Sequence, residues 1–358
     1  MVLEDKVSAH EGLGELPNSL KELWFEIGGS CHLSCYYCFA NSGGIDRSKD
    51  NVTIDQVTKY LNQFSEMGGE RIAVVGAGEP FHARNIEDTF QVLNWAKGKK
   101  ITTTIFTTGD LISEDVLLRL NSYPDITLLV KYNSQKPKTQ DAMVGNSGYT
   151  ARRDKAMALL MKRGYNDGKR LGIVTSILEE NPEEMPTLFR YARDNNLIFD
   201  ADNPIPRGRG KNCDREKIAR SAKPIIDKLS KIDKEEYGNV WESHATYIAS
   251  PPCTRFNQHM YVKKDGTVIP CVGSPAVKLG NVKDESLEQI WEKDITKIIR
   301  GHNYVGKCTS CENYQKNHCF SCLGRSTEDL TTESLIKEGH VRTIGCFQYR
   351  EGNQEDKK

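Results

Sequence analysis

The stretch LWFEIGGSCHLSCYYC, residues 23–38, places a strand-like run directly before three cysteines. LWFEI is rich in the aromatic and aliphatic residues that strands favour. Cys31, Cys35 and Cys38 follow, with three and two residues between them. Four thiolates close a tetrahedral metal site, whereas three leave one position open. The spacing predicts an iron-sulfur cluster with one vacant corner. A zinc site completed by a distant histidine and ordinary buried thiols are the alternatives.

Outward from this stretch, strand-like runs alternate with amphipathic helical patterns. The strand-like runs after the first are RIAVVG, ITTTIFTTG, ITLLVKYNS, LGIVTSIL and LIFDADNPIP. Helical patterns separate these runs, and after YNS a polar loop precedes the helical pattern ARRDKAMALLMKRGY. This alternation predicts a parallel sheet with helices outside. Since about six repeats are fewer than the eight of a closed barrel, we expect an α/β fold with an open, partial barrel and ligands at the carboxyl ends of its strands.

The pattern changes beyond Gly210, and the chain divides into five predicted segments. They are an N-terminal extension (1–22), the barrel core (23–210), a helical bridge (211–250), a small cysteine-rich α+β domain (251–350) and a polar tail (351–358). In the cysteine-rich domain, HMYVKKDGTVIPCV predicts a hairpin and SLEQIWEK a capped helix. This domain has so little apolar sequence that we expect metal to stabilise it.

Charge and composition exclude several classes of protein. The 49 basic residues balance the 49 acidic ones, so we expect no nucleic-acid partner. The sequence shows neither a signal peptide nor an apolar run of spanning length, so we expect no membrane partner and a cytoplasmic location. The chain has 11 cysteines. In a reducing compartment, clustered thiols indicate metal binding or catalysis rather than disulfides.

Seven cysteines lie in the C-terminal part of the chain. They are Cys253, Cys271, Cys308, Cys311, Cys319, Cys322 and Cys346. The four from Cys308 to Cys322 would by themselves fit a zinc ribbon. Seven cysteines instead approach the eight that two four-iron clusters need, so we expect one or two auxiliary [4Fe-4S] clusters.

CHLSCYYC, residues 31–38, resembles the signature of the radical S-adenosylmethionine (SAM) superfamily, including the aromatic residue before the last cysteine. The resemblance implies that the barrel is the TIM-like (β/α)6 core of that superfamily. It also implies a [4Fe-4S] cluster on Cys31, Cys35 and Cys38, whose open iron binds SAM. An electron from a donor such as flavodoxin or ferredoxin would then cleave SAM to a 5′-deoxyadenosyl radical, which takes a hydrogen atom from substrate.

Further motifs support the resemblance. GAGEP is similar to the GGEP motif of the family, with Ala77 in place of a glycine. TTG and YNS lie at strand ends, and PRGRGK offers Arg207 and Arg209 to an anionic group. Ordinary turns, strand ends and an exposed basic loop are the alternatives. The cofactor-binding residues that the resemblance implies are Tyr37, Gly76, Gly78, Glu79, Pro80, Thr108, Ser134 and Arg207.

The C-terminal cysteines resemble those of the SPASM extension of radical SAM proteins, and with the trio the resemblance covers about residues 23–350. It implies an outer cluster on Cys308, Cys311, Cys319 and Cys346, and an inner cluster on Cys253, Cys271 and Cys322. The division of Cys319 and Cys322 between the clusters stays open. The inner cluster also lacks a fourth cysteine, so either Cys213 supplies it or one iron is left open. Cys213 could equally be a free thiol.

The expected substrate is small and polar, such as a sugar, aminocyclitol or nucleoside, and the reaction a dehydrogenation, epimerisation or decarboxylation. This expectation rests on the 22 residues before the first strand, where many peptide maturases of the family carry a leader-binding domain. The alternative is a maturase that modifies a ribosomal peptide or protein. A non-catalytic zinc-binding regulator is the remote alternative. The sequence assigns no acid, base or hydrogen donor.

Overall fold

A computed structural model describes residues 19–205, 207–241, 257–274, 277–301, 304–306, 332 and 341–343. The chain divides into two compact units. Residues 24–54 and 70–248 form the first, here called the barrel unit. Residues 1–23, 55–69 and 249–358 form the second, here called the cysteine-rich unit.

Parallel strands form the framework of the barrel unit. In chain order the first six strands are β1 (Glu22–Phe25), β2 (Arg71–Val75), β3 (Thr102–Thr107), β4 (Ile126–Lys131), β5 (Leu171–Ser176) and β6 (Ile198–Asp202). They stand side by side in that order, and the pairs from β2 to β6 are parallel. The predicted α/β fold with a partial barrel of six strands is confirmed.

Helices follow these strands along the chain. They are α1 (Ile54–Glu66), α2 (Ile86–Lys99), α3 (Glu114–Leu120), α4 (Pro137–Val144), α5 (Tyr149–Lys162), α6 (Met185–Asp194) and α7 (Arg215–Ile232). The prediction of a polar loop after β4 was wrong, because α4 forms there. Pro137 supplies a backbone suited to the first turn, and Gly145 ends the helix with φ 63°.

The predicted helical bridge contributes to the core of the barrel unit. Ile218, Ala222, Ile226 and Leu229 recur along α7 at the spacing of one helical face, and all four are buried. They belong to the same apolar cluster as Phe199 of β6. The domain boundaries proposed from the sequence stay predictions.

Successive side chains of a strand alternate between the two faces of the sheet. On β4, β5 and β6, Val130, Ile173 and Ala201 belong to the apolar cluster shared with the surrounding helices. The alternate residues therefore point to the opposite face, toward the barrel interior. At the carboxyl ends of these strands the inner-face residues are Lys131, Ser176, Asp200 and Asp202.

The cysteine-rich unit contains short elements. Besides α1, which falls in this unit, its described strands and helices are β7 (His259–Val262), β8 (Thr267–Ile269), β9 (Gly280–Asn281), α8 (Leu287–Trp291), α9 (Asp294–Arg300), β10 (Tyr304–Gly306) and β11 (Val341–Thr343). The antiparallel β7–β8 pair confirms the predicted hairpin, with Gly266 at φ 85° in its turn. Ser286 begins α8 with a full capping box, as predicted. In the described parts of the chain, no helix is long and apolar enough to cross a membrane.

Candidate active site

The cysteine loop, residues 28–44, begins after β1 and is held by backbone hydrogen bonds. Cys31 N donates to Gly44 O at 3.0 Å, and Ser34 N donates to Val144 O at 2.9 Å. At the end of β2, Glu79 N donates to Ser30 O at 2.9 Å. The loop therefore lies against the turn that follows β2, and both occupy the carboxyl ends of parallel strands, where such folds bind ligands.

The three loop cysteines are free thiols, and the protein environment disfavours the ionisation of Cys31 and Cys35. Burial raises the pKa of Cys31 to about 12 and that of Cys35 to about 11. Cys38 is so close to both that a negative charge on its sulfur would raise these pKa values further. Thiols of this kind ionise when a bound metal supplies positive charge, so the donor set fits an iron-sulfur cluster.

A single-ion site is not preformed in the described residues, where no group of three His, Cys, Asp or Glu side chains has the arrangement to hold a metal ion. The assignment of Cys31, Cys35 and Cys38 as cluster ligands stays a prediction. So does that of Cys271, whose Sγ accepts a hydrogen bond from Gly273 N at 3.4 Å. The other predicted ligands, Cys253, Cys308, Cys311, Cys319, Cys322 and Cys346, lie outside the described residues.

The GAGEP turn approaches the cysteine loop so closely that one position has no room for a side chain. Gly76, Ala77 and Gly78 have φ values of 61°, 52° and 123°. A Cβ atom on Gly78 would lie 2.7 Å from Ser30 O, which belongs to the cysteine loop. The turn thus leaves a backbone surface beside the thiols, the kind of surface that the resemblance assigns to SAM.

Gly78→Ala is expected to destabilise the protein, because it combines a steric clash with an unfavourable φ that alone costs about 1–3 kcal/mol. Gly98→Ala is the matched control. Gly98 lies in α2, and a Cβ atom there would meet nothing within 4 Å. Alanine at this position should stabilise by about 0.5–1 kcal/mol. Thermal unfolding measures both, and equal midpoints would contradict the close approach.

Glu79 joins the ends of β2 and β3. Its side chain is buried, and Oε1 accepts hydrogen bonds from Thr107 Oγ1 at 2.5 Å and Phe81 N at 3.1 Å. Oε2 accepts one from Thr108 N at 2.7 Å. Burial raises the pKa of Glu79, although these donors oppose the rise. Pro80 follows in the same turn, and its carbonyl accepts from Thr89 Oγ1 at 2.9 Å. The SAM contacts assigned to this motif stay predictions.

Asp110 forms a buried hub that the sequence analysis missed. It accepts hydrogen bonds from His32 Nε2 at 2.9 Å, Thr108 Oγ1 at 2.8 Å and Arg152 Nε at 3.2 Å. Burial would raise the pKa of Asp110, but these donors outweigh it and the pKa is lowered. The carboxylate therefore connects the cysteine loop, through His32, to the end of β3 and to α5. The aspartate directly after TTG was the available signal.

Asp110→Asn is expected to lower the stability of the protein by about 1–3 kcal/mol, because a neutral amide replaces a buried charged acceptor of three donors. Chemical denaturation at neutral pH measures the loss. Asp167→Asn is the control, since Asp167 is paired with Arg170 on the exposed surface, where ion pairs contribute about 0–1 kcal/mol. A loss no larger than that of the control would show that the hub is dispensable.

Ser134 lies in a buried turn after β4. Its hydroxyl donates to Glu184 Oε1 at 2.9 Å, and its carbonyl accepts from Arg153 Nη1 at 3.2 Å. The Arg153 guanidinium is also buried and stacks 3.5 Å from the centre of the Tyr132 ring. The structure gives Ser134 a role in holding this turn, and its contact with SAM stays a prediction.

The segment after β6 lies over the cysteine loop rather than forming an exposed basic loop. Arg209 Nε donates to Cys35 O at 2.7 Å, Nη2 to Ser42 O at 2.5 Å and Nη1 to Asn41 Oδ1 at 3.2 Å. Its backbone N donates to Cys38 O at 2.9 Å. A Cβ atom on Gly208 would lie 2.6 Å from Cys38 O, so glycine allows this approach. Arg209 therefore holds the loop and does not face outward toward a ligand.

Three other predicted positions also lie near the loop. Arg207 pairs with Glu26 across 3.9 Å, and only 14% of its side chain is exposed. Tyr37 is buried with its ring 5.3 Å from Lys131 Nζ, and burial raises its pKa. Cys213 is buried in the barrel unit and its N donates to Gly210 O at 3.2 Å. Whether Cys213 binds an auxiliary cluster stays open.

Comparison with known proteins agrees with this geometry. The family model for the radical SAM superfamily matches residues 25–192, and that for the SPASM iron-sulfur cluster-binding domain matches residues 253–312. A search among curated proteins finds no match.

Solved structures share the fold at low identity. Streptococcus suis SuiB bound to precursor peptide SuiA is 18% identical with a TM-score of 0.71, covering 92% of this chain and 76% of that one. The anSMEcpe structure with bound AdoMet and Cp18Cys peptide is 17% identical with a TM-score of 0.61, covering 93% and 96%. The chain belongs to the radical SAM superfamily of enzymes and carries a SPASM domain, which implies SAM, its [4Fe-4S] cluster and auxiliary clusters as cofactors.

Proposed function

We propose that this enzyme modifies a residue of a peptide or protein by radical chemistry that begins with hydrogen-atom abstraction. The radical step is supported by the loop with three free thiols, one buried and two partly buried, which follows β1 next to the GAGEP backbone. The choice of a peptide is supported by the fold shared with SuiB and anSMEcpe, both solved with peptides. The small-molecule substrate expected from the sequence has less support.

The residues around the cysteine loop have different roles in this function. Cys31, Cys35 and Cys38 would hold the cluster, which with SAM supplies the 5′-deoxyadenosyl radical. Gly78 keeps the adjacent backbone free of side chains. Buried Glu79 fixes the ends of β2 and β3 beside it. These contacts would hold the site in one arrangement before substrate binds.

The finer steps follow from electron counting. A substrate radical must gain a hydrogen atom, rearrange or lose one electron, and an auxiliary cluster can accept that electron. The product is then an oxidised, epimerised or crosslinked residue. We propose a low-potential protein such as flavodoxin or ferredoxin as the electron donor. We also propose the cytoplasm as the location, since free thiols and clusters need a reducing compartment.

Deuterium transfer distinguishes the two substrate classes. Cells of the source organism are grown with fully deuterated nutrients, and their extract is separated into a peptide and protein fraction and a metabolite fraction. Each is incubated anaerobically with reconstituted enzyme, SAM and dithionite, and 5′-deoxyadenosine is analysed by mass spectrometry. We expect deuterium transfer from the peptide and protein fraction.

Two controls make the result decisive. Enzyme without SAM and enzyme with unlabelled fractions set the background for deuterium. Transfer from the metabolite fraction alone would reject the peptide proposal in favour of a small-molecule substrate. Absence of 5′-deoxyadenosine from enzyme with an intact cluster would reject radical SAM activity altogether.

A further inference from the structure

Ser274, in the cysteine-rich unit, carries a buried hydroxyl group close to a predicted cluster ligand, Cys271. Only 2% of the residue is exposed, and its Oγ has no hydrogen-bond partner among the described residues. A buried hydroxyl group without a partner is unfavourable, because it has lost its hydrogen bonds to water. In native proteins such a group calls for a bound water, an ion or a redox role that satisfies it.

A tight turn brings Ser274 back to Cys271. Ser274 N donates to Cys271 O at 2.9 Å, which closes a four-residue turn. In such a turn the first and last Cα atoms lie within about 7 Å of each other. Val277 N donates to Ser274 O at 3.3 Å, so both backbone groups of Ser274 are used. The hydroxyl group is left for another acceptor near Cys271.

The same turn already directs one donor at the cysteine sulfur. Gly273 N donates to Cys271 Sγ at 3.4 Å. A Cβ atom on Gly273 would meet a single atom of the described residues within 4 Å, Cys271 Sγ at 4.0 Å. The turn therefore leaves space beside the sulfur and supplies a donor to it. Hydrogen bonds to ligand sulfurs are one of the ways in which proteins tune iron-sulfur clusters.

The sequence spacing indicates the same kind of ligand. Two residues separate Cys271 from Ser274, so the turn has the spacing of a Cys-x2-Cys pair with serine in the second place. A serine hydroxyl group can rotate to donate to a nearby acceptor. The thiolate and sulfide sulfurs of a cluster would offer it such acceptors. The same spacing recurs in two pairs of predicted ligands, Cys308 with Cys311 and Cys319 with Cys322.

We propose that the Ser274 hydroxyl group donates a hydrogen bond to a sulfur of the auxiliary cluster on Cys271 and raises the reduction potential of that cluster. A donor favours the reduced state, because this state carries one more negative charge. Ser274 keeps its proton, and a single electron moves. The inference rests on Cys271 as a cluster ligand, and it deepens the proposed function, in which an auxiliary cluster accepts an electron from the substrate radical.

Redox titration of the reconstituted holoenzyme, followed by electron paramagnetic resonance, tests this proposal. The auxiliary signals are those that added SAM does not alter, since SAM is expected at the open iron of the other cluster. In Ser274→Ala the midpoint potential of one auxiliary signal should fall. The loss of one hydrogen bond should change the equilibrium constant of reduction by about tenfold, which is about 59 mV for one electron.

Matched variants separate the hydroxyl group from the packing of the side chain. Threonine and valine have nearly the same shape, but valine lacks the hydroxyl group. Ser274→Thr should therefore keep the wild-type potential, and Ser274→Val should match Ser274→Ala. Ser286→Ala is the control within the same unit. Ser286 Oγ accepts from Gln289 N at 3.1 Å at the start of α8, so its loss should lower stability and shift no potential.

Thermal unfolding gives a second measurement that does not depend on the potential. In enzyme freed of clusters with a chelator, Ser274→Ala should be at least as stable as the wild type, because it removes a buried hydroxyl group that has no partner. In the reconstituted enzyme the same variant should be less stable than the wild type. Destabilisation of equal size in both forms would contradict a bond to the cluster.

The outcomes distinguish this proposal from the proposed function. An unchanged auxiliary potential in Ser274→Ala overturns the role of Ser274 and leaves the proposed function standing. Loss of an auxiliary cluster in Ser274→Ala and Ser274→Val, but not in Ser274→Thr, would make Ser274 an iron ligand and also overturn the hydrogen bond. Wild-type enzyme that binds zinc and shows no auxiliary signal would overturn it as well. Absence of SAM cleavage in wild-type enzyme with all clusters present rejects the proposed function, while the auxiliary potentials still test Ser274.

Discussion

Replacing Cys35 with alanine is expected to reduce SAM cleavage to the level of the enzyme-free control. The three loop cysteines leave no spare thiol in the predicted motif, so the loss of one leaves the cluster with two protein ligands. Cys35 lies at the centre of the loop, and Arg209 holds its carbonyl at 2.7 Å. The measurements are iron and sulfide content, the electron paramagnetic resonance spectrum of the reduced enzyme and the yield of 5′-deoxyadenosine.

Ser34→Ala is the control for this prediction. Ser34 is the exposed neighbour of Cys35, and its loop contact uses the backbone, since Ser34 N donates to Val144 O at 2.9 Å. Removing its hydroxyl should leave the cluster signal and SAM cleavage unchanged. A Cys35→Ala enzyme that still yields 5′-deoxyadenosine above background would contradict the assignment of the trio. Auxiliary iron that remains bound in this variant would show up as a partial loss of iron.

Replacing Arg209 with alanine is expected to have the second largest effect, on both stability and cluster retention. The change removes two hydrogen bonds from a charged group to loop carbonyls and one to Asn41. Hydrogen bonds to charged groups contribute about 1.5–3 kcal/mol each, and solvent at the half-buried guanidinium reduces this, so we expect a total loss of about 2–4 kcal/mol. Denaturation of the protein and the rate of iron loss to a chelator measure the two effects.

Two variants show whether geometry or charge is responsible. Arg209→Lys keeps the charge but cannot reach several carbonyls at once, so it should restore little of the lost stability. Arg190→Ala removes an exposed arginine that pairs with Glu236, and its loss should change stability little, because solvent screens such a pair. If Arg209→Ala loses iron no faster than Arg190→Ala, the loop is held by its backbone contacts alone.

The parallel barrel could be predicted from the sequence because its signals are local. Each strand is a short apolar run, and each helix repeats its buried residues at the helical period, as α1 does with Val57, Tyr60, Leu61 and Phe64. The failure at α4 has a local cause as well. QKPKTQDAMVG contains few apolar residues, so it shows little helical periodicity. Its polar character and its proline instead suggested a loop.

The candidate site was predictable only in part, because much of it depends on contacts between distant residues. The cysteine spacing indicated the thiols, and GAGEP indicated the turn beside them. The contact of Asp110 with His32 joins residues 78 positions apart, and that of Arg209 with Cys35 spans 174. No local pattern distinguishes an arginine that holds a loop from one that binds a ligand. The position of Lys131 near Tyr37 could likewise not be predicted, because it depends on which face of β4 turns toward the barrel interior.

The contact between Arg209 and the cysteine loop also links the segments that follow the first and last strands of the barrel. The first and last of the six barrel strands are β1 and β6, and the segments that follow them meet through this side chain and through the 3.9 Å pair of Arg207 with Glu26. Side-chain contacts rather than strand pairing therefore link the first and last barrel strands there.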